Sequence, residues 1–156
     1  LVAGLRQAGH DAHGLIVGEI AKRDRKLARQ LNKAAKAAGV ADAITCTGFR
    51  EDIREIVSVS SAVVSLSGYP EAFGRSVNEA LSLGIPVAGY DHGGVGEQLA
   101  RHFPAGLVPP GDTATMTERL AGWIAAPPGM TGVQPYTLEH MLDKTIDLYQ
   151  QVTAVP

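Results

Sequence analysis

Three features of the sequence predict an α/β fold, a Rossmann-like, mostly parallel sheet with helices on both faces. Short apolar and β-branched runs recur along the chain, each parted from the next by a stretch of helical periodicity. Parallel neighbours need such crossovers, because a hairpin cannot join strands that run the same way. Glycines follow several of the runs closely, as they do where a strand feeds a loop. A length of 156 residues with 45% hydrophobic content suits one globular domain and excludes a disordered chain. Charge excludes more: 14 Lys and Arg against 16 Asp and Glu leave a net charge of −2, without the positive field that a nucleic-acid or membrane-surface binder needs. A single cysteine, Cys46, excludes a disulfide framework and a Cys-based zinc site, and is expected of a reducing, cytoplasmic setting. No apolar run approaches the ~20 residues of a membrane-spanning helix.

The elements follow in order. Residues 1–10 read as the tail of a helix ending at Gly9, with Leu1 and Leu5 one turn apart; lacking an initial Met, the chain is expected to be a fragment of something longer. The run His13-Gly14-Leu15-Ile16-Val17-Gly18 is a buried strand feeding a loop. From 20 to 38, Ile20, Leu27, Leu31, Ala34, Ala35 and Ala38 make one helical stripe, and Gly39 ends it. The seven Lys and Arg between Lys22 and Lys36 are interspersed with alanine rather than bulky apolar anchors, so they read as a solvated face, not a membrane-binding one. Residues 43–47 form a strand in which Cys46 is expected to be a small buried hydrophobe, 52–58 a short helix, and 62–66 another buried strand. A helix over 74–83 capped by Gly84, a strand over 86–90, a helix over 95–101 and a short strand over 106–108 continue the alternation. Two helices, 113–125 and 138–152, close the chain around a Pro/Gly-rich connection over 127–135, with Trp123, Tyr136, Met141 and Tyr149 expected to pack them on the sheet.

In such sheets ligands bind beyond the carboxyl ends of the strands, so the loops after Val17, Thr47, Leu66 and Tyr90 are the places to seek function. The informative one is Ser67-Gly68-Tyr69-Pro70-Glu71-Ala72-Phe73-Gly74-Arg75-Ser76-Val77-Asn78-Glu79-Ala80-Leu81. A helix starting near Gly74 presents N–H groups with no intrahelical partner, and with the helix dipole these suit an anion such as a diphosphate. Glu79, four residues on from Arg75, can accept hydrogen bonds from two vicinal hydroxyls, as on a ribose. Glu71 in the loop can accept from sugar hydroxyls, and Arg75 is either a phosphate contact or an exposed first-turn arginine. Gly93 and Gly94 form either a tight strand-to-helix turn alone or, the favoured reading, one that also borders the site. His92 is either a sugar contact or a solvated loop histidine; His10, His13, His102 and His140 lack metal-ligand spacing and read as surface or packing residues.

Here a resemblance enters. The pattern Pro70-Glu71-Ala72-Phe73-Gly74-Arg75, with Glu79 eight residues after Glu71, then Gly84-Ile85-Pro86-Val87 and Gly93-Gly94-Val95-Gly96-Glu97, resembles the donor-binding half of retaining GT-B glycosyltransferases of family 4 (glycosyl transferases group 1). Leu15-Ile16-Val17-Gly18 and Thr47-Gly48-Phe49-Arg50 resemble it as well, so the likeness is close over residues 13–100. It implies that Glu79 holds the ribose of a UDP- or GDP-linked sugar donor, and that Glu71, as the catalytic carboxylate, contacts the donor sugar. It also implies that Phe73, Gly74, Arg75 and Ser76, with Gly93 and Gly94, face the sugar and diphosphate, and that Gly18, Gly48, Phe49 and Arg50 line the nucleobase. No metal or separate cofactor is implied, since helix dipole and basic side chains stabilise the leaving diphosphate; the sequence has no Asp-x-Asp motif.

Such enzymes clamp the diphosphate with an Arg and a Lys from the first strand of this half and the loop after it, and this chain begins beyond that point. The resemblance thus implies a C-terminal nucleotide-sugar-binding domain over residues 1–156, without its first strand and inactive or nearly so alone. Its parent would be a hexosyltransferase with an N-terminal acceptor-binding domain as partner, no nucleic acid, and peripheral membrane contact only through the full-length protein. Other readings stay open: a non-catalytic nucleotide-binding or interaction module, and a sugar-nucleotide epimerase of the same fold. A dinucleotide-dependent oxidoreductase is opposed by the lack of a Gly-x-Gly-x-x-Gly after any predicted strand.

Overall fold

The computed structural model describes residues 1–21, 24–130 and 136–153. Lys22, Arg23 and the 131–135 part of the expected Pro/Gly-rich connection lie outside the described residues. Strands and helices alternate as expected: α1 (Val2–Gln7), β1 (Gly14–Val17), α2 (Arg25–Ala37), β2 (Ile44–Gly48), α3 (Ile53–Ser58), β3 (Val63–Ser65), α4 (Arg75–Ser82), β4 (Val87–Tyr90), α5 (Gly93–His102), β5 (Leu107–Val108), α6 (Thr113–Ala125) and α7 (Leu138–Thr153). Every strand pairing is parallel, which follows from the helical crossovers.

The strands do not form one ladder. Among the described residues they make a two-stranded sheet, β1–β2, and a three-stranded sheet in the order β3–β4–β5. The second carries the core, and β4 is its axis, buried along its whole length. Its alternation sends Val87 into a cluster with Val77, Ala80 and Leu81 of α4 and Val95 and Leu99 of α5. On the opposite face Ala88 and Tyr90 join Leu5 of α1, Val108 of β5, and Met116 and Leu120 of α6. Each large apolar side chain fully buried there contributes about 1.5–3 kcal/mol relative to exposure. Trp123 bridges the two clusters as expected. α6 starts on Asp112, whose carboxylate accepts from the Thr115 N–H at 2.9 Å, a side-chain cap for one of the helix's unpaired donors.

The β1–β2 sheet corrects three expectations. Leu15 and Ile16 are 49% and 42% exposed rather than core. Cys46 is exposed too, not a buried hydrophobe. On α2 only Ala35 is buried, and Leu27 of the expected apolar stripe is 65% exposed. A helix stripe and an apolar strand are necessary for burial but do not supply the surface that covers them. Met141 and Tyr149 likewise stand exposed on α7, which has no buried residue. Among the described residues no helix is long and apolar enough to cross a membrane.

Candidate functional site

All the loops singled out from the sequence open at the carboxyl ends of the strands, so the parallel arrangement places them at one end of their sheets. At the β1–β2 end the Gly18 N–H donates to the Gly48 carbonyl at 3.1 Å, joining the two loops expected around the nucleobase. Phe49 beyond them is 72% exposed. Arg50 is otherwise engaged: its guanidinium grips Asp52 through two hydrogen bonds, Nε–Oδ1 at 2.7 Å and Nη2–Oδ2 at 2.5 Å. That hydrogen bond holds the Asp52 carboxyl below its ordinary range, and the same pair raises Arg50.

At the β3–β4–β5 end the segment after β3 lies backbone-down on the start of α5. Glu71 is exposed, but its main-chain carbonyl accepts from the Gly94 N–H at 2.8 Å. The two glycines make this approach feasible. A Cβ on Gly93 would stand 2.6 Å from the Glu71 carbonyl oxygen, and one on Gly94 would stand 2.6 Å from the Ala72 oxygen and the Phe73 Cα. The sequence placed Gly93 and Gly94 in a turn ahead of a helix starting at Val95. They belong instead to the first turn of α5, with His92 as its N-cap. His92 is half-buried, its Nε2 3.0 Å from the Ser67 carbonyl oxygen, so it ties the two loops together and is not a freely solvated residue.

The turn then reverses into α4 at Gly74, the buried N-cap, whose φ of 78° lies in the left-handed region that side chains with a Cβ disfavour. Arg75 and Ser76 open the helix with exposed side chains. Arg75 Nη2 lies 3.5 Å from Glu79 Oε1, an i,i+4 pair whose side chains are 86% and 46% exposed, so water screens it strongly. The structure therefore brings Phe73, Gly74, Arg75 and Ser76 onto the turn that opens α4, with Glu79 one helical turn further along, and seats Glu71 through Phe73 on Gly93 and Gly94. Among the described residues, no hydrogen bond, ion pair or ring contact links this group to the Gly18–Gly48 pair.

Three residues of this end were not read as part of it. Gln98 of α5, 1% exposed, donates from Nε2 to the Phe73 carbonyl. Tyr136, expected to pack the last helices on the sheet, meets the Phe73 ring edge-on at 5.3 Å between centroids. It also meets the His102 ring at 5.6 Å. Spacing along α5 carries part of that signal, since Gly94, Gln98 and His102 recur every four residues and share a face. Tyr136 lies far along the chain from Phe73 and left no local signal. Two grooves of about 320 and 350 Å³ run along α2, one of them lined by Arg29, Asn32, Lys33 and Lys36. Neither includes a residue of the candidate site. No group of three or more His, Cys, Asp or Glu suited to a metal ion occurs among the described residues.

Comparison with known proteins points the same way. The family model described as glycosyl transferases group 1 matches residues 1–134. A 2-deoxystreptamine N-acetyl-D-glucosaminyltransferase of Streptomyces fradiae is 36% identical over 120 residues, which is 74% of this chain and 27% of that protein. Among solved structures, Anabaena Alr3699/HepE in complex with UDP superposes with a TM-score of 0.87 at 20% identity, over 97% of this chain and 44% of that one. The same Anabaena protein in complex with UDP-glucose gives 0.73 at 25% identity, over 80% and 34%. The chain thus spans about a quarter of the length of its Streptomyces relative. The α/β architecture is that of the Rossmann-like domains of GT-B glycosyltransferases.

Proposed function

The chain belongs to the glycosyl transferases group 1 family, and from that premise we propose that it is the donor-binding half of a retaining glycosyltransferase that moves a hexose-type sugar from a UDP- or GDP-linked donor. The observation that carries this reading is the seat of the Glu71–Gly74 backbone on Gly93 and Gly94. It presents the start of α4 at the carboxyl end of β3, where an anionic ligand of such a sheet binds.

In this reading Glu79 accepts from the ribose hydroxyls, and the N–H groups of Gly74, Arg75 and Ser76 receive the diphosphate. Glu71 meets the donor sugar from the loop, while Gly18, Gly48, Phe49 and Arg50 border the base. Arg75 must exchange its weak Glu79 contact for phosphate, a small cost for a pair this exposed. Charge developing on the leaving diphosphate is met by fixed backbone dipoles, with no metal step. The two sheets leave β1 and β3 each hydrogen-bonded to one neighbour among the described residues. A preceding strand pairing with both would complete a single sheet and bring the two groups of site residues together. The N-terminal acceptor-binding half would lie further upstream in the parent.

Calorimetric titration with UDP, GDP, ADP and NAD tests the proposal. One nucleoside diphosphate is expected to bind. Glu79→Ala should weaken it by roughly 10- to 150-fold, the equivalent of ~1.5–3 kcal/mol for charge-assisted hydrogen bonds. Binding of NAD alone, or a folded Glu79→Ala protein that binds the diphosphate unchanged, would overturn it.

A further inference from the structure

Gln98 is a polar side chain where packing alone calls for an apolar one: it lies between Val95 and Leu99 on α5 and is 1% exposed. Its Nε2 donates to the Phe73 carbonyl and stands 3.4 Å from the Gly74 carbonyl. The other end of the same amide, Oε1, is buried with no hydrogen-bond partner. Leaving a buried acceptor unsatisfied is costly, so the residue is a poor choice for stability. Its contacts are to the two carbonyls that flank the bend into α4.

In a planar trans peptide the C=O and the following N–H point in opposite directions. The Gly74 carbonyl is already committed to α4, accepting from the Val77 and Asn78 N–H groups at 3.1 and 3.3 Å, so what Gln98 fixes is the Phe73 carbonyl, and drawing that toward α5 turns the Gly74 N–H away from it. A left-handed Gly74 followed by a helical Arg75 is the backbone sequence in which successive N–H groups converge on an anion. We propose that Gln98 is a positioning residue of the donor site: by holding the Phe73 carbonyl it aims the Gly74 N–H at the diphosphate beside the Arg75 N–H that α4 itself orients. Gln98 touches neither sugar nor phosphate in this arrangement. The inference rests on the reading of this turn as the diphosphate site.

The test compares wild type with Gln98→Leu and Gln98→Glu, using whichever of UDP and GDP the chain binds and the matching nucleoside. Gln98→Leu removes the donor at similar volume. It should weaken the diphosphate about 10-fold while leaving the nucleoside's affinity unchanged. Gln98→Glu donates only when protonated. Burial pushes such a carboxyl up, so its diphosphate affinity should approach wild type at low pH and fall as the pH rises through that titration, a dependence absent from Gln98→Leu. If Gln98→Leu does not fold, the pH profile of Gln98→Glu decides alone. Unchanged diphosphate binding in a folded Gln98→Leu, equal loss of diphosphate and nucleoside, or a Gln98→Glu affinity flat with pH would each overturn the role. A wild-type chain that binds neither diphosphate would instead remove the premise, and the proposal with it.

Discussion

At Gly94 a methyl group has nowhere to go. It would meet the Ala72 and Phe73 oxygens and the Phe73 Cα at 2.6–2.7 Å, all of them backbone atoms that cannot swing aside. Alanine in a helix is ordinarily favourable over glycine by about 0.8–1.0 kcal/mol, so Gly94→Ala sets two effects of opposite sign against each other. A clash with main chain on three atoms exceeds the propensity gain. Gly94→Ala is expected to lower the melting temperature and weaken nucleotide binding by pushing the Glu71–Gly74 segment off α5. Gly122 lies inside α6, where an added methyl would have nothing within 4 Å, so it isolates the propensity effect. Gly122→Ala should stabilise by about 0.5–1 kcal/mol and leave binding alone. Thermal denaturation and nucleotide titration of the pair check both; a Gly94→Ala protein as stable and as competent as Gly122→Ala would mean that the loop does not rest on α5.

Helix α5 also shows how far sequence reaches. Alternating apolar runs revealed the strands and helices of the described residues, because the period of the pattern marks an element whether or not another covers it, and the Glu71-to-Glu79 spacing located the turn. The trace weakened where contacts come from afar. Gly93 and Gly94 looked like a turn because glycine is a poor helix former, yet tertiary packing of the loop requires them inside the helix. Gln98 and His102 lie on that same face, and only contacts remote in sequence, Phe73 for Gln98 and Tyr136 for His102, give them a role. His102 makes the point measurable. Burial first, and then the charge of Arg101, holds its imidazole below the ordinary value of 6.5. The unfolded chain therefore takes up that proton more readily, so His102 opposes folding as the pH drops. Its neutral form is fully in place above 6.5; stability is lost as the pH falls from there toward the depressed folded value, and is flat below it. Melting temperatures of wild type and His102→Leu from pH 8 to 5 should diverge in slope across that window, wild type falling more steeply. Parallel slopes would show that His102 is as easily protonated folded as unfolded.

Across the whole molecule, burial is concentrated on one side of the architecture. Clusters on both faces of β4 hold most of the fully buried apolar side chains among the described residues, whereas β1 carries apolar residues 42% and 49% exposed and α7 buries none. This contrast was invisible in the sequence, where Leu15-Ile16-Val17, 62–66 and Val87-Ala88 read alike as apolar strands, yet only β4 is buried throughout and Val64 and Leu66 stand 40% and 47% exposed; composition describes what a face is made of, not what lies against it. It has an energetic consequence. Regions with few buried apolar contacts open locally at a small fraction of the global free energy, while a strand sandwiched between two clusters opens only when the domain unfolds. Native-state hydrogen exchange should therefore rank the amides: β4 slowest and moving with global stability as denaturant is added, β1 and β2 faster, α7 fastest and nearly insensitive to denaturant. On α7 the stripe Leu138, Met141, Leu142, Ile146 and Tyr149 is 48–68% exposed, so its hydrogen bonds have no tertiary support against fraying, and an isolated helix of its 16 residues is marginal in water. Protection of α7 equal to that of β4 would contradict the exposure of this stripe. Repeating the exchange at several protein concentrations would then distinguish a second copy covering it, which gives protection that rises with concentration, from burial within one chain, which does not.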